Sequence, residues 1–361
     1  MDRVPFNPDE LNVVGEFPST TGLTPGSPKL NTPVTPRENY AAALAGELPL
    51  WIPKGGDTTF ISPQVVPDNV ARVFVYERQF LKDEEKVGGL DMFGIDWEYV
   101  PLVGGSIVRP ENPTIEDIND WKNLVTFPDI DAWDWEGSAK ANEELINSEQ
   151  GMIVWQLNGM FERLISWMDF ENAVMALIDE DQKEAVLEVF DKLADLYIEL
   201  VKKYKKYYNM TTFYFHDDWG SQRAPFFSLA TVREMLVPSL KKIVDFCHSE
   251  GIFVEFHCCG SNEMLVPGMI DIGFDVWNGM SNINDKPRIW ELYGDGIIIG
   301  FSTGDLGLTR DSSDEDVVAT ATAFVEKYGP TYAEKPVTVS GTALFNNTIY
   351  ELSRKMFSPA E

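Results

Sequence analysis

From Met152 onward the chain alternates between β-branched or aromatic runs and runs with a helical apolar period, joined by short links. The order is strand MIVWQL, helices FERLISWM and FENAVMALI, a long helix DQKEAVLEVFDKLADLYIELVKKYKKYY and strand TTFYFH. Then come helix TVREMLVPSLKKIVDFCHSEG, strand IFVEFH, helix NEMLVPGMIDIG, strand FDVWN, helix DKPRIWELYG, strand GIIIGF, helix EDVVATATAFVEKYG, strand PVTVS and a last helix. This alternation, with several helices closing on Gly, is the pattern of a parallel sheet with crossover helices. The long helix is the best defined element. Its apolar stripe Val186, Phe190, Leu193, Tyr197, Leu200, Tyr204 steps by four and three, and lysines fill its last turns, where the helix dipole favours them.

The residues just past each strand narrow the fold further. TTFYF runs into His216, Asp217, Asp218 and Trp219; IFVEF into His257, Cys258, Cys259 and Gly260; FDVW into Asn278 and Gly279; GIIIGF into Ser302, Thr303, Gly304 and Asp305. Chemically capable residues at successive C-terminal strand ends are expected of a (β/α)8 TIM barrel, whose strand ends converge on one mouth. An open doubly wound sheet would gather its ligand at one switch point, usually beside a Gly-rich phosphate loop. Neither GxGxxG nor GxxxxGK occurs. The expectation is an α/β chain with an extended arm over 1–34 and a barrel over 35–361.

The arm is rich in Pro, Thr, Gly and Asn, which predicts little regular structure. At Thr35 a helix begins: Thr35 is its N-cap, Pro36 its first residue, Glu38 closes a capping box, and Gly46 stops it. Between 50 and 110, VARVFVYERQF and WEYVPLVGGSIVRP read as strands, and the Gly104-Gly105 pair predicts close backbone approach. Residues 113–135 read as a short helix and a connection anchored by Trp121, Trp133 and Trp135.

Lys and Arg number 29 against 58 Asp and Glu, a net charge of −29. Nucleic acid and anionic lipid are therefore disfavoured as partners. No apolar run reaches the roughly 18 residues of a membrane span, and the N-terminus lacks a basic segment followed by an apolar one. Three cysteines, two of them adjacent, make no disulfide framework and fit a reducing cytoplasm.

Two loops hold the candidate chemistry. In HDDWGSQ, strand alternation sends Asp217 and Asp218 to opposite sides, so one faces the mouth and the other caps a helix or turn. In FVEFHCCG, Phe253, Glu255, His257 and Cys259 share one face. Glu255 and Cys259 lie roughly 13 Å apart along a strand, too far to share a metal. His257 and Cys259 make a zinc half-site, for which Asp217, Asp218 and Asp305 are the candidate third ligands. A reactive thiol, or a buried strand end with small side chains, explains the same residues. Cys247 reads as core, and His248 as a helix C-terminal residue with no assigned role.

The blocks TPRENYAAALAGELP and HCCG resemble the uroporphyrinogen decarboxylase superfamily, a (β/α)8 family, over roughly residues 35–361. HCCG is similar to the H-x-C-G of its zinc methyltransferase branch. FGIDWEYVP, GGSIVRP, FPDIDAWDWEG, FHDDWGSQ and HCCGSNEMLVP resemble anaerobic bacterial veratrol–corrinoid protein methyltransferases. The chain departs from the family twice. The arginine-rich R-Q-A-G-R stretch of the decarboxylases is LWIPKGGDTTF here, and the last strand, VTVSGTALF, lacks the third zinc cysteine of the coenzyme M branch.

The resemblance implies transfer of a methyl group from an O-methyl donor, such as a methoxyaromatic, to a Co(I) corrinoid. Zinc would sit on His257 and Cys259. Asp217, Asp218 and His216 would form the catalytic group, while Trp219, Trp277, Asn278, Glu255 and Asp305 would line the substrate site. No D-x-H-x-x-G cobalamin motif occurs, so cobalamin would arrive on a corrinoid partner protein. Extended arms often cross to a neighbouring subunit, so a homo-oligomer is in view. Two alternatives stand beside this expectation: a metal-free decarboxylase- or lyase-like enzyme acting through Asp217 or Asp218, and a non-catalytic binder of small aromatics.

Overall fold

The computed structural model describes residues 1–78, 88–102, 105–110 and 112–359. Among them, twelve strands form three sheets. β1 (Val13–Phe17) and β2 (Ser27–Leu30) make an antiparallel hairpin. β4 (Gly88–Leu90), β5 (Asp96–Val100) and β6 (Gly105–Val108) make a small antiparallel sheet. The main sheet is parallel. It contains β3 (Thr58–Ile61), β7 (Gly151–Gln156), β8 (Thr212–His216), β9 (Phe253–Cys258), β10 (Val276–Gly279), β11 (Ile298–Ser302) and β12 (Val337–Ser340), in the order β12-β11-β10-β9-β8-β7-β3.

This is the α/β architecture that the alternation predicts, with seven parallel strands rather than eight. From β7 to β12, strands consecutive in sequence are neighbours in space, because each crossover helix returns the chain to the adjacent slot. Among the described residues, β12 meets the chain just ahead of the other outer strand, β3. Val339 N donates to Pro53 O at 3.0 Å, and Lys54 bridges Val339 in parallel, just before β3 begins.

Strand alternation decides what each face meets. Phe213 and Phe215 of β8 point to the long helix Lys183–Tyr208, where they contact Tyr204 and Tyr197. Phe256 stacks on Phe274 with ring centroids 4.4 Å apart. The other face carries Trp155, Tyr214 and His257, with Trp155 and Tyr214 stacked at 3.9 Å. The stripe Val186, Phe190, Leu193, Tyr197, Leu200, Tyr204 is fully buried, as its period predicts. At roughly 25 cal/mol per Å² of apolar surface, such burial is the main stabilising term.

Three expectations need correction. The arm is not irregular: it forms the β1–β2 hairpin and docks on its own chain. Tyr350 Oη donates to Glu10 Oε2 at 2.7 Å, and Arg354 Nη2 donates to Glu10 Oε1 at 3.1 Å, both from the last helix Ala343–Met356. VARVFVYERQF is no strand. Its start ends the helix Pro67–Ala71, residues 72–78 pair only through a Ser62–Tyr76 bridge, and residues 79–80 lie outside the described residues. A Cβ placed on Gly105 would meet nothing within 4 Å among the described residues; Gly104 lies outside them. FERLISWM and FENAVMALI are two helical segments, as expected, meeting within Met160–Ala176 at Asp169, whose φ 65° and ψ 164° are not helical.

The capping box at Thr35 is present: Glu38 N donates to Thr35 Oγ1 at 3.2 Å, and Thr35 N to Glu38 Oε2 at 2.8 Å. Among the described residues, no helix is long and apolar enough to cross a membrane.

Candidate metal centre and adjoining cleft

The β8–β9 register sets His216 directly beside His257, and their rings stack with centroids 5.0 Å apart. The loops after the two strands then fold onto each other. Cys259 N donates to Asp218 Oδ1 at 2.7 Å. Gly260 makes this contact possible. It has φ 90°, and a Cβ there would lie 2.2 Å from Gly220 O, so only glycine lets the two loop backbones touch.

The result is a cluster of His216, Asp218, His257 and Cys259, whose candidate ligand atoms all lie within 4.8 Å of one another. His257 Nε2 is 3.3 Å from Cys259 Sγ, and His216 Nε2 is 3.7 Å from Asp218 Oδ1. Two imidazoles, a carboxylate and a thiol are the donor types that zinc takes in four-coordinate sites.

Electrostatics favour a cation here. Burial, aided by the neighbouring His216, pulls His257 down to about 3, so its imidazole is neutral and its lone pair available. Burial, then the Asp218 charge, pushes the Cys259 thiol up. Burial and Glu162 raise Asp218. Both groups resist ionising on their own, and a dication between them would reverse that penalty. The residues therefore fit a divalent metal of the zinc type.

A second layer orients the first. Glu162 Oε2 holds His216 Nδ1 at 2.9 Å, leaving Nε2 toward the cluster. Burial opposes the charge on Glu162, but Arg72 and His216 outweigh it and hold the carboxylate at about 2. Arg72 Nη1 donates to Glu162 Oε1 at 2.8 Å and to Asn158 Oδ1 at 2.5 Å. Asn158 Nδ2 continues to Asp68 Oδ1 at 2.6 Å, and Asp68 pairs with Arg163, which also binds Asp91 at 2.5 Å. The sequence reading missed Arg72, Asp68, Asp91, Glu162 and Arg163. Their one sequence signal is charge inside otherwise apolar runs, as in MFERLISWM.

The predicted site residues divide. His216, Asp218, His257 and Cys259 meet. Asp218 is the one facing the site, and His216 stands among the candidate ligands. Asp217 is fully buried and caps the Met160–Ala176 helix, accepting from Phe161 N at 3.0 Å, Glu162 N at 2.8 Å and Trp219 Nε1 at 2.8 Å. It therefore positions Glu162 and reaches no substrate.

Trp219 and Trp277 are fully buried, Trp219 against Phe256, so neither offers a face to a ligand. Glu255 and Asn278 pair at 3.0 Å beneath the cluster, Glu255 being two residues before His257 on β9. Asp305 is bound by Lys286 at 2.9 Å and by Ser302 N at 2.7 Å, and is not in the cluster. Cys247 is buried in its helix, as expected. Cys258 is buried too and faces away from the cluster, its Sγ accepting from Trp219 N at 3.2 Å.

Beside the centre lies a cleft of about 400 Å³ between the β4–β6 sheet and the Met160–Ala176 helix. Arg72 and Glu162 line it, together with Trp97, Ile107 and Phe170.

The chain matches no protein-family model and no curated protein sequence. Among solved structures it overlaps the chitinase-like agglutinin RobpsCRA of Robinia pseudoacacia at TM-score 0.35 and 8% identity, covering 69% of this chain and 92% of that one. It overlaps the intracellular xylanase TsXylA of Thermoanaerobacterium saccharolyticum at 0.32 and 13%, over 58% and 70% of the two chains. A sugar phosphate isomerase/epimerase of Parabacteroides distasonis gives 0.32 and 12%, over 62% and 82%. Overlaps this shallow carry no information about activity.

Proposed function

We propose that this chain is a cytoplasmic, zinc-dependent methyltransferase on a (β/α)8-type barrel closed through residues 53–54. It would move a methyl group from an O-methyl donor to the Co(I) corrinoid of a partner protein. The observation that carries the reading is the four-donor cluster at the ends of two adjacent strands. The resemblance of FHDDWGSQ and HCCGSNEMLVP supplies the reaction class.

In this reading the methyl C–O bond breaks, the bonding pair stays on oxygen, and the cobalt pair forms the new bond. His216, Asp218, His257 and Cys259 would hold zinc, whose Lewis acidity eases departure of the poor alkoxide or phenoxide leaving group. The remaining work belongs to the chain. Glu162 keeps the proton of His216 on Nδ1 and its ring in place. Arg72 keeps Glu162 ionised. Asp217 anchors the helix turn that carries Glu162. The metal-free alternative is narrowed to Asp218, because Asp217 is committed to its helix.

The test is zinc content of wild type, His257→Ala and Cys259→Ser purified without chelator, with methyl transfer to cob(I)alamin followed by its absorbance. One zinc per chain, lost in both variants along with transfer, is expected. Zinc-free wild type that still transfers methyl would remove the metal from the reading, and zinc-free wild type without transfer would leave the metal-free alternative through Asp218.

A further inference from the structure

The small β4–β6 sheet is fastened to the barrel through a closed ring of side chains. Asp91, in the turn between β4 and β5, accepts from Phe93 N at 2.8 Å and from Ile95 N at 3.0 Å within the sheet. Its Oδ2 also accepts from Arg163 Nη1 at 2.5 Å. Arg163 pairs in turn with Asp68, whose Oδ1 accepts from Asn158 Nδ2 at 2.6 Å. Asn158 Oδ1 accepts from Arg72 Nη1 at 2.5 Å, and the Arg72 guanidinium lies over Trp97 of β5, 5.0 Å from carbon to ring centroid. Trp97 Nε1 donates to Asp91 Oδ2 at 3.0 Å and closes the ring.

The sheet supplies Asp91 and Trp97, and a third tie runs from Met92 N to Asp68 Oδ2 at 3.1 Å. Asp68, Asp91, Trp97, Asn158 and Arg163 are all buried, where a hydrogen bond is electrostatically stronger than in water. Arg72 is where the ring and the centre meet. The same Nη1 donates to Glu162 Oε1 at 2.8 Å, and Glu162 Oε2 holds His216 Nδ1 at 2.9 Å. Arg163 is a second junction, because it follows Glu162 directly in the Met160–Ala176 helix.

We propose that Asp91 and Trp97 are positioning residues of the metal centre, so that the seat of the β4–β6 sheet fixes Arg72 and, through Arg72 and Glu162, the angle of the His216 ring. Neither residue touches the centre. Trp97 sets one side of the guanidinium, while Asn158 and Glu162 hold its edge. With Trp97 released from Asp91, the guanidinium is free to turn, and Glu162 loses a fixed partner. Coupling of this kind is reciprocal, so a metal held by His216 steadies the sheet by the same factor.

The inference rests on the proposed metal site, and one of its readouts is independent of metal. The chain has three histidines, His216, His248 and His257, so NMR of the full chain carrying isotope-labelled histidine resolves each ring. Trp97→Phe keeps an aromatic ring beneath Arg72 and removes the bond to Asp91. Asp91→Asn keeps the shape and removes the charge that Arg163 binds. In both variants the His216 ring signals are expected to shift or broaden, while those of His248, which pairs with Asp275, stay in place. Zinc affinity, read by chelator competition, should fall about tenfold. Zinc loading of wild type should slow amide exchange over 88–100 about tenfold, leave 13–17 unchanged, and lose this effect in Trp97→Phe.

His216 signals unchanged in both folded variants would overturn the proposal, whether or not zinc binds. A shift of His216 and His248 alike would mark a general loosening and overturn it as well. Where Asp91→Asn fails to fold, Trp97→Phe decides. Wild type that takes up no zinc, but whose His216 signals alone move in the variants, would sink the metal reading and leave the positioning role standing. Zinc bound equally by wild type and Trp97→Phe, with exchange over 88–100 unaltered by zinc, would keep the metal reading and overturn the proposal.

Discussion

The strand ends of β8 and β9 and those of β10 and β11 look alike in sequence, and the fold treats them oppositely. Beyond β10 and β11 the polar groups neutralise one another. Lys286 binds Asp305 and Gly300 O, Ser281 meets Ser302 at 2.8 Å, and Asn278 is bound to Glu255. Beyond β8 and β9, two imidazoles, a carboxylate and a thiol turn their candidate ligand atoms toward one another, all within 4.8 Å. The same residue types are structural where a lysine and hydroxyls pair them off, and a candidate centre where they converge on one another. On the β10–β11 side the buried Lys286 is paired directly with the strand-end carboxylate Asp305.

The sharpest way to break this contrast is Lys286→Met. It strands Asp305 as a buried unpaired carboxylate, which should cost about 3–5 kcal/mol in urea unfolding and leave zinc content unchanged. A large loss of zinc with little loss of stability would mean that the closed side is no mere scaffold. Gly260→Ala acts on the open side. Its positive φ alone costs about 1–3 kcal/mol, and its Cβ drives the two loops apart, so metal should be lost together with stability.

Glu162→Gln is subtler. Weaker orientation of His216 should lower zinc affinity by about 10–100-fold, read by chelator competition, with the fold retained by circular dichroism. Unchanged affinity would reduce Glu162 to a partner of Arg72.

The smallest effect concerns Glu255. Burial raises its carboxyl from 4.5 to about 7, against the opposing pull of Asn278, Lys286 and Tyr40. A raised folded-state value means that the contribution is fully present below about pH 4.5 and is lost as pH rises toward 7. Glu255→Gln should therefore flatten the fall in Tm across that window. An unchanged pH slope would show that Glu255 is ionised within the fold.

Much of the fold was legible, because periodicity is a local signal. The β7-to-β12 strands, the long helix and the Thr35 cap all follow from neighbours within a few residues. The misreadings fell where local text is ambiguous. VARVFVYERQF has the composition of a strand, but over 72–78 it pairs at a single bridge, Ser62–Tyr76. The arm's prolines hid a hairpin whose order depends on Glu10 meeting Tyr350 and Arg354, over three hundred residues away.

For the site, the sequence by itself determined the donor types and their place. H-x-C and H-D-D at the ends of buried strands put imidazole, thiol and carboxylate at one mouth, because strand alternation is a short-range rule. Which of them meet was decided only in three dimensions. The β8–β9 register stacked His216 on His257, the Gly220–Gly260 contact brought Asp218 to Cys259, and a helix N-terminus claimed Asp217. Arg72 and Glu162 entered the site through side-chain contacts that no spacing encodes. Hydrogen bonds and ion pairs depend on distance in space, and only packing sets that distance.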